Sequence, residues 1–231
     1  MTLAEKSGEL FRENRWFFTL FGAFLLIGAV LLLSIQTGDE IFFFSARRST
    51  VGDLFFRWFT QMGEAWPYFF MLLLLLFTRY RYAFALPLLA LSLSLISYGS
   101  KIFFGHDRPL AFLTKEGLFE LVKTVEGVVL NGGTTSFPSG HTMSAFALYG
   151  FVALCLPQKR WMAVLLFCIA LLVAISRIYL VQHFLKDIYA GAIFGIVIAI
   201  IWYWIQQSWN AERRPWLDSA LLKRAEEQPV A

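Results

Sequence analysis

Charged residues are scarce in this sequence. Asp, Glu, Lys and Arg make up 16% of the 231 residues, and 58% of the residues are hydrophobic. A soluble domain averages about 25% charged residues, which it needs to cover its surface. The composition therefore excludes a soluble globular domain. The net charge is only +4, and no basic block is interleaved with aromatic residues, so we expect no nucleic-acid partner.

Cysteine is also scarce. Cys155 and Cys168 both lie in apolar runs, and neither belongs to a CxxC or Cys/His cluster with metal-ligand spacing. We expect both side chains to be small core residues. No internal repeat divides the chain. We therefore predict one membrane domain over residues 1–209, followed by a short charged cytoplasmic tail over residues 210–231.

Long apolar runs dominate what is present. A membrane-spanning helix needs about 20 mostly apolar residues, and six runs approach that length: Trp16–Ile35, Gly63–Thr78, Tyr82–Phe104, Thr142–Leu156, Trp161–Val181 and Ile188–Gln207. The second and fourth runs are short and need flanking residues to complete a crossing. The sequence predicts an all-α integral membrane bundle of six transmembrane helices.

The segment Thr37–Met62 separates the first two runs. It is rich in Phe, but polar residues such as Asp39, Arg47 and Asp53 interrupt it. It is too polar to span the bilayer. We therefore predict an interfacial helix or helical hairpin that lies on the membrane surface.

Basic residues in the short connections predict the orientation. They occur in four segments that share one side if six spans alternate: Lys6, Arg12, Arg15, Arg79, Arg81, Lys159, Arg160, Arg213, Arg214, Lys223 and Arg224. Both termini should therefore be cytoplasmic. No small-residue cleavage site follows the first run, so we expect that run to remain as a span. The expected location is a cell membrane, the inner membrane in a bacterium.

The remaining ionisable residues gather at the opposite, outer end of the predicted spans. They are Lys101, Arg108, His141, Arg177, His183 and Asp187. Charged groups this close to apolar spans are costly and usually mark function. Charge at one end of the spans, rather than near the bilayer midplane, argues against a transporter.

The spacing of these residues adds chemistry. His183 and Asp187 are four apart and share a face if they lie on one helix, so the carboxylate can fix the imidazole tautomer and leave the other ring nitrogen free to react. Lys101 and Arg108, seven apart, share a face if their helix persists toward Gly105. Ser139 and Gly140 precede a helix amino terminus, where backbone N–H groups favour anions. Three cations with such donors suit a phosphate group.

Three motifs carry a resemblance to a known family. They are Lys101-x6-Arg108-Pro109, Pro138-Ser139-Gly140-His141 and Ser176-Arg177-x5-His183-x3-Asp187. Together, in this order, they resemble the three-part signature of the type 2 phosphatidic acid phosphatase (PAP2) family, in its membrane lipid phosphate phosphatase branch. The resemblance covers residues 101–187, and outside them only the number of spans matches.

The resemblance implies a role for each signature residue. His183 would be the nucleophile that forms a phosphohistidine, Asp187 would orient it, and His141 would be the general acid. The phosphoryl oxygens would be held by five residues: Lys101, Arg108, Ser139, Gly140 and Arg177. The family works without a metal or another cofactor, and the sequence contains no carboxylate cluster that would suggest one.

The expected activity is hydrolysis of a lipid phosphate or diphosphate at the outer membrane face. Candidate substrates are undecaprenyl diphosphate, phosphatidylglycerophosphate, phosphatidic acid and a lipid A phosphate, and an outward site favours undecaprenyl diphosphate or a broad range. A lipid phosphotransferase of the same family and a non-enzymatic transporter or scaffold are the alternatives. The sequence leaves open the oligomeric state and the roles of His106 and the loop 110–137.

Overall fold

The computed structural model describes residues 3–156, 160–209 and 213–222. Within these ranges the chain is helical and contains no strand. The α-helices of the described residues are α1 Leu3–Glu13, α2 Arg15–Ser34, α3 Asp39–Ala46, α4 Thr50–Phe59, α5 Ala65–Leu76, α6 Tyr80–Phe104, α7 Pro109–Lys115, α8 Gly140–Cys155, α9 Arg160–Tyr179 and α10 Leu185–Gln207. Short 3₁₀ turns cover Thr60–Gly63, Phe119–Leu121 and Pro215–Asp218.

Helices α2, α6, α9 and α10 are the four, among the described residues, that are long and apolar enough to cross a membrane. Helices α5 and α8 are apolar but have only 12 and 16 residues. At 1.5 Å per residue, such helices reach about 18–24 Å, short of a hydrocarbon layer of about 30 Å. All six predicted spans are therefore present as helices, and a bundle with six full crossings remains a prediction.

Helix α8 lies at the centre of the bundle, between α9 and α10. Nearly all of its side chains are buried, as expected for a helix that is apolar on every face. Its backbone contacts that of α10 at Gly191 and Gly195, four residues apart. A Cβ at Gly195 would lie 2.6 Å from the Met143 carbonyl oxygen, and one at Gly191 would lie 2.9 Å from that of Ser139. Small residues are required there, as at other close helix crossings in membranes.

Helices α3 and α4 occupy the segment between the first two apolar helices that was predicted to form an interfacial helix or a helical hairpin, and both pack on α9. One face of α4 is apolar and exposed, at Val51, Leu54, Phe55 and Trp58. The opposite face is tied to the rest of the protein, because Asp53 accepts a hydrogen bond from the Tyr179 hydroxyl at 2.7 Å. An amphipathic helix with its apolar face free suits a membrane surface, and that location remains a prediction.

The basic residues that predicted the orientation can be located in the bundle. At one end, Arg160 stacks on the Trp16 ring at 4.1 Å, and Arg81 forms a 2.6 Å ion pair with Asp218. The basic residues that predicted the orientation thus share an end where they are described. Lys159, Lys223 and Arg224 lie outside the described residues, and of Lys6 only the backbone is described.

The described part of the predicted cytoplasmic tail packs on the turn between α5 and α6. Leu217 is buried, and the Leu221 N–H donates to the Leu76 carbonyl at 3.0 Å. Cys155 is buried as predicted, but Cys168 is exposed, because it lies on the outward face of α9.

Candidate active site

His183 and Asp187 meet in a fully buried pair. The side chains are 3% and 0% exposed, and Nδ1 of His183 lies 3.5 Å from Oδ2 of Asp187. His183 itself precedes the helix, because α10 begins only at Leu185, so the condition that both residues lie on one helix is not met. Asp187 reaches back from the first turn of α10 instead, and the same oxygen accepts the Phe184 N–H at 2.9 Å. The carboxylate is therefore fixed by the helix terminus as well as by the histidine.

Ser136 is a third member of this pair that sequence reasoning missed. It is fully buried, and its hydroxyl donates to Oδ2 of Asp187 at 2.5 Å and lies 3.5 Å from Nδ1 of His183. The other carboxylate oxygen, Oδ1, is buried without a hydrogen-bond partner. The described donors to the Asp187 carboxylate therefore converge on the oxygen that faces His183.

The backbone before His183 is strained. Val181 has a φ of +57°, a region that β-branched residues rarely adopt. The turn is closed by the Arg177 carbonyl, which accepts the N–H groups of Gln182 and His183 at 2.9 and 3.1 Å. Residues in such conformations persist where the surroundings fix them, often at active sites. Here the strain turns the chain between α9 and α10 so that His183 points into the protein.

Burial sets the protonation state of His183. Desolvation lowers the pKa of His183 from 6.5 to about 4, and the cations Arg177 and Arg108 act in the same direction, against the raising effect of Asp187. The imidazole is therefore neutral at pH 7. A neutral imidazole has a free lone pair on one ring nitrogen, which a nucleophile requires.

Two arginines of the site are buried and held by loops. Arg108 donates to the Gln182 carbonyl at 3.2 Å, and Arg177 donates to the Thr60 hydroxyl at 2.8 Å. Nε of Arg177 has no hydrogen-bond partner. Burial lowers the pKa of Arg108, and Asp187 opposes this, but a guanidinium stays charged in proteins. A buried donor without a partner is suited to an anion that is not part of the protein.

Lys101 lies in the last turn of α6 and is half-buried. The helix ends at Phe104 because Gly105 adopts a left-handed φ of +57°. Lys101 and Arg108 therefore do not share a helix face, although both reach the site. The Lys101 ammonium approaches the amino terminus of α8, where a Cβ on Gly140 would lie 3.6 Å from Nζ.

Ser139 and Gly140 begin α8 as predicted. The Ser139 side chain caps the helix and accepts hydrogen bonds from the Thr142 N–H and hydroxyl groups at 3.5 and 3.0 Å. Its own N–H donates to the Asp187 carbonyl at 3.0 Å. The first-turn N–H groups of a helix lack intrahelical partners and favour anions. The Ser139 hydroxyl thus has a structural role, and its contact with phosphate remains a prediction.

His141 lies in the first turn of α8, close enough to interact electrostatically with Lys101, Arg108, Arg177 and His183. All the predicted site residues are thus brought to one end of the bundle. Sequence reasoning missed the partner of His141, which is Glu64. Nε2 of His141 lies 3.6 Å from Oε1 of Glu64, with side chains 32% and 49% exposed.

A groove leads from this end of the bundle along α5, α6 and α8. Its volume is about 440 Å³. It is lined by Gly63, Glu64, Ala65, Tyr68, Ala90, Leu93, Ser94, Ser97, Tyr98, Lys101, Gly140 and Ser144. Lys101, Glu64 and Gly140 lie at the end nearest the histidines, whereas Ala90 and Leu93 extend the groove along the apolar helices.

The loop 110–137 and the backbone of His106 are tied to the site by hydrogen bonds. Gln182 fastens the loop, since it accepts from Asn131 and donates to the Val129 carbonyl at 2.7 and 2.9 Å. The His106 carbonyl accepts the Ser136 N–H at 3.0 Å. His106 therefore helps position the segment that carries Ser136, through its backbone.

The apolar helices and the buried His–Asp pair among cations define a multi-pass membrane protein with a polar site at one end of its bundle. Comparison with known proteins defines the family. Residues 82–211, more than half of the chain, match the model of the PAP2 superfamily. The chain belongs to the PAP2 superfamily. The family expected from the three motifs is thereby confirmed.

Its relatives are membrane lipid phosphatases. The chain is 34% identical over 103 residues to phosphatidylglycerophosphatase B of Bacillus subtilis, covering 41% of this chain and 50% of that protein. It is 35% identical over 92 residues to lipid A 4'-phosphatase of Bacteroides thetaiotaomicron, covering 40% of each. The chain thus spans half, or less, of the curated relatives it matches.

A solved structure shares the fold. The crystal structure of Aquifex aeolicus LpxE aligns with a TM-score of 0.60 and 27% sequence identity, covering 73% of this chain and 96% of that chain. The all-helical fold of this chain therefore has a counterpart of known structure.

Proposed function

We propose that this protein is a membrane lipid phosphatase that hydrolyses a phosphomonoester or pyrophosphate of a lipid through a phosphohistidine intermediate. The observation that carries the proposal is the neutral, buried His183, oriented by Asp187 and surrounded by Lys101, Arg108 and Arg177. This combination offers a nucleophile and a binding site for the oxygens of a phosphoryl group.

The reaction has two steps. The free nitrogen of His183 attacks phosphorus, and the bond between phosphorus and the lipid oxygen breaks, while His141 donates a proton to that oxygen. A water molecule then attacks the phosphohistidine, His141 accepts its proton, and inorganic phosphate leaves as the P–N bond breaks. The three cations, with the N–H groups at Gly140, stabilise the negative charge of the transferring group.

The groove supports a lipid substrate. Its polar end reaches Lys101 and Gly140, and its other end runs between apolar helices, so a lipid can keep its tails in the bilayer while its phosphate enters the site. Two relatives of the chain, a phosphatidylglycerophosphatase and a lipid A phosphatase, support this class of substrate. Undecaprenyl diphosphate and phosphatidic acid belong to the same chemical class and are equally to be assayed.

The purified full chain assayed against a panel of lipid phosphates tests the activity. We expect phosphate release, and full activity in excess EDTA because protein cations hold the phosphoryl oxygens. After reaction with a ³²P-labelled lipid is quenched, the enzyme should carry an acid-labile, base-stable label. Absence of phosphate release from every lipid would refute the proposal. Transfer of the label to an added lipid alcohol instead of water would identify the protein as a phosphotransferase.

We also propose that the site faces outside the cell, with both termini in the cytoplasm. In a background without Cys155 and Cys168, the variants Val129→Cys and Ser208→Cys place one exposed thiol at each end of the bundle. An impermeant thiol reagent should label intact cells or spheroplasts only for Val129→Cys. The reverse pattern would put the site in the cytoplasm and exclude an outer-leaflet substrate.

A further inference from the structure

We infer that Glu64 is a positioning residue for the general acid: its carboxylate holds and charges His141 for proton donation to the leaving oxygen. The inference rests on the proposed phosphatase function and deepens it. Glu64 lies in none of the three motifs. It stands immediately before α5, more than 70 residues from His141 in sequence.

The turn that carries Glu64 is built against the site. Gly63 leaves no room for a side chain, because a Cβ there would lie 2.9 Å from the His141 carbonyl oxygen and 2.7 Å from Cγ1 of Val173. Thr60, at the start of the same turn, accepts a hydrogen bond from Arg177 at 2.8 Å. The turn Thr60–Gly63 is thus fixed to α8 and α9, and Glu64 follows at a defined distance from the imidazole.

The charges around His141 explain why a carboxylate is needed. The cations Lys101 on α6, Arg108 before α7 and Arg177 on α9 act on His141 electrostatically, and the titratable His183 lies before α10. A cluster of cations favours a neutral imidazole, and a neutral imidazole cannot donate the proton that the leaving oxygen requires. Within the described part of the chain, the carboxylate within 4 Å of the His141 ring is that of Glu64, with Oε1 at 3.6 Å from Nε2.

Asp187 does not serve this purpose. Its inward oxygen is occupied by Ser136, Phe184 and the facing His183. The two histidines therefore have separate carboxylates. Glu64 is half-exposed and lines the groove beside Lys101, so it can stay paired with His141 while the leaving group lies next to both.

Glu64→Gln, which keeps the shape and removes the charge, tests the inference. On phosphatidic acid in detergent micelles we expect kcat to fall by about tenfold to a hundredfold, the range of a weakened general acid. The alkaline limb of the kcat profile should move down by about one pH unit. On p-nitrophenyl phosphate, whose leaving group needs no proton, the loss should be less than about threefold.

Three further variants complete the design. Glu64→Asp should recover part of the activity and the alkaline limb, and keeps the test valid if Glu64→Gln folds poorly. Glu120→Gln, the same change on an exposed residue of the loop after α7, should have no effect. In a His141→Ala background, Glu64→Gln should cause no additional loss, since the group it acts through is gone.

Other results would overturn the inference. A raised KM for the lipid with unchanged kcat would make Glu64 a headgroup contact. Equal losses on both substrates, or additive losses with His141→Ala, would mean that it acts through Arg177 or on packing. Failure of the proposed function is separate, because it would appear as a lack of phosphate release or of a phosphohistidine in the unmodified protein.

Discussion

The two histidines of the site occupy different surroundings. His183 is 3% exposed and faces a carboxylate that is fully buried. Its neighbours are fixed by Ser136, by a helix terminus and by a strained turn at Val181. His141 is 32% exposed, and its carboxylate partner is half-exposed and lines the groove.

This difference matches what each step of the reaction demands. A nucleophile must be neutral and held in one orientation, which burial and a rigid partner provide. A general acid must reach the leaving oxygen in the first step and the attacking water in the second, so it has to stay accessible. The pocket around His183 is therefore built for orientation and the region around His141 for access.

Removal of the nucleophile should give the largest effect. We expect His183→Ala to lower phosphate release by more than about a thousandfold on every substrate, as for other residues that form the covalent intermediate. Folding should be retained, because Asp187 keeps hydrogen bonds from Ser136 and Phe184. Thermal unfolding in detergent provides the control. Turnover above about a tenth of the unmodified protein would contradict the phosphohistidine mechanism.

Removal of the acid should give a smaller loss that depends on the leaving group. We expect His141→Ala to lower kcat by about a hundredfold on a lipid phosphate but by less than about tenfold on p-nitrophenyl phosphate. Steady-state rates on both substrates measure the difference. Equal losses on the two substrates would show that His141 is not the general acid, and the proposed division of roles between the two histidines would be wrong.

The acid limb of the pH profile distinguishes the two surroundings further. Because burial lowers the pKa of His183 from 6.5 to about 4, kcat/KM at pH 5 should be retained after correction for substrate ionisation. If the imidazole had the ordinary pKa of 6.5, kcat/KM at pH 5 would be about thirtyfold lower. The same lowered pKa means that His183 stabilises the folded state above pH 6.5. This contribution is lost as the pH falls toward 4. An acid limb near 6.5 would contradict burial of a neutral nucleophile.

Sequence reasoning predicted the helices and motif residues because both depend on local patterns. Apolar runs gave the positions of α2, α5, α6, α8, α9 and α10 to within a few residues, and the signature gave both histidines. The contact between His183 and Asp187 was expected from their spacing. Hydropathy does not show that α10 begins only after His183.

The missed features depend on chain paths that no local pattern encodes. Glu64 reaches His141 only because a 3₁₀ turn and Gly63 place it there. Ser136 lies at the end of a long loop whose course is fixed by two backbone hydrogen bonds, from the Ser136 N–H to the His106 carbonyl and from the Arg108 N–H to the Gly133 carbonyl. The exposure of Cys168 and the packing of Leu217 depend on helix rotation and on the course of the tail.

The smallest expected effect belongs to Ser136, and it sharpens the comparison between the two histidines. Its hydroxyl donates to the Asp187 oxygen that faces His183, so its loss frees that carboxylate to rotate and weakens the orientation of the nucleophile without removing it. We expect Ser136→Ala to lower kcat by about tenfold, and by the same factor on a lipid phosphate and on p-nitrophenyl phosphate, because the leaving group is not involved. Ser45→Ala is a matched control, since it removes another buried hydroxyl, which accepts the Lys123 N–H at 2.7 Å, and it should leave kcat unchanged. A loss for Ser136→Ala confined to the lipid substrate would connect Ser136 to the acid or to the groove, and the separation of a rigid nucleophile pocket from an accessible acid would then be wrong.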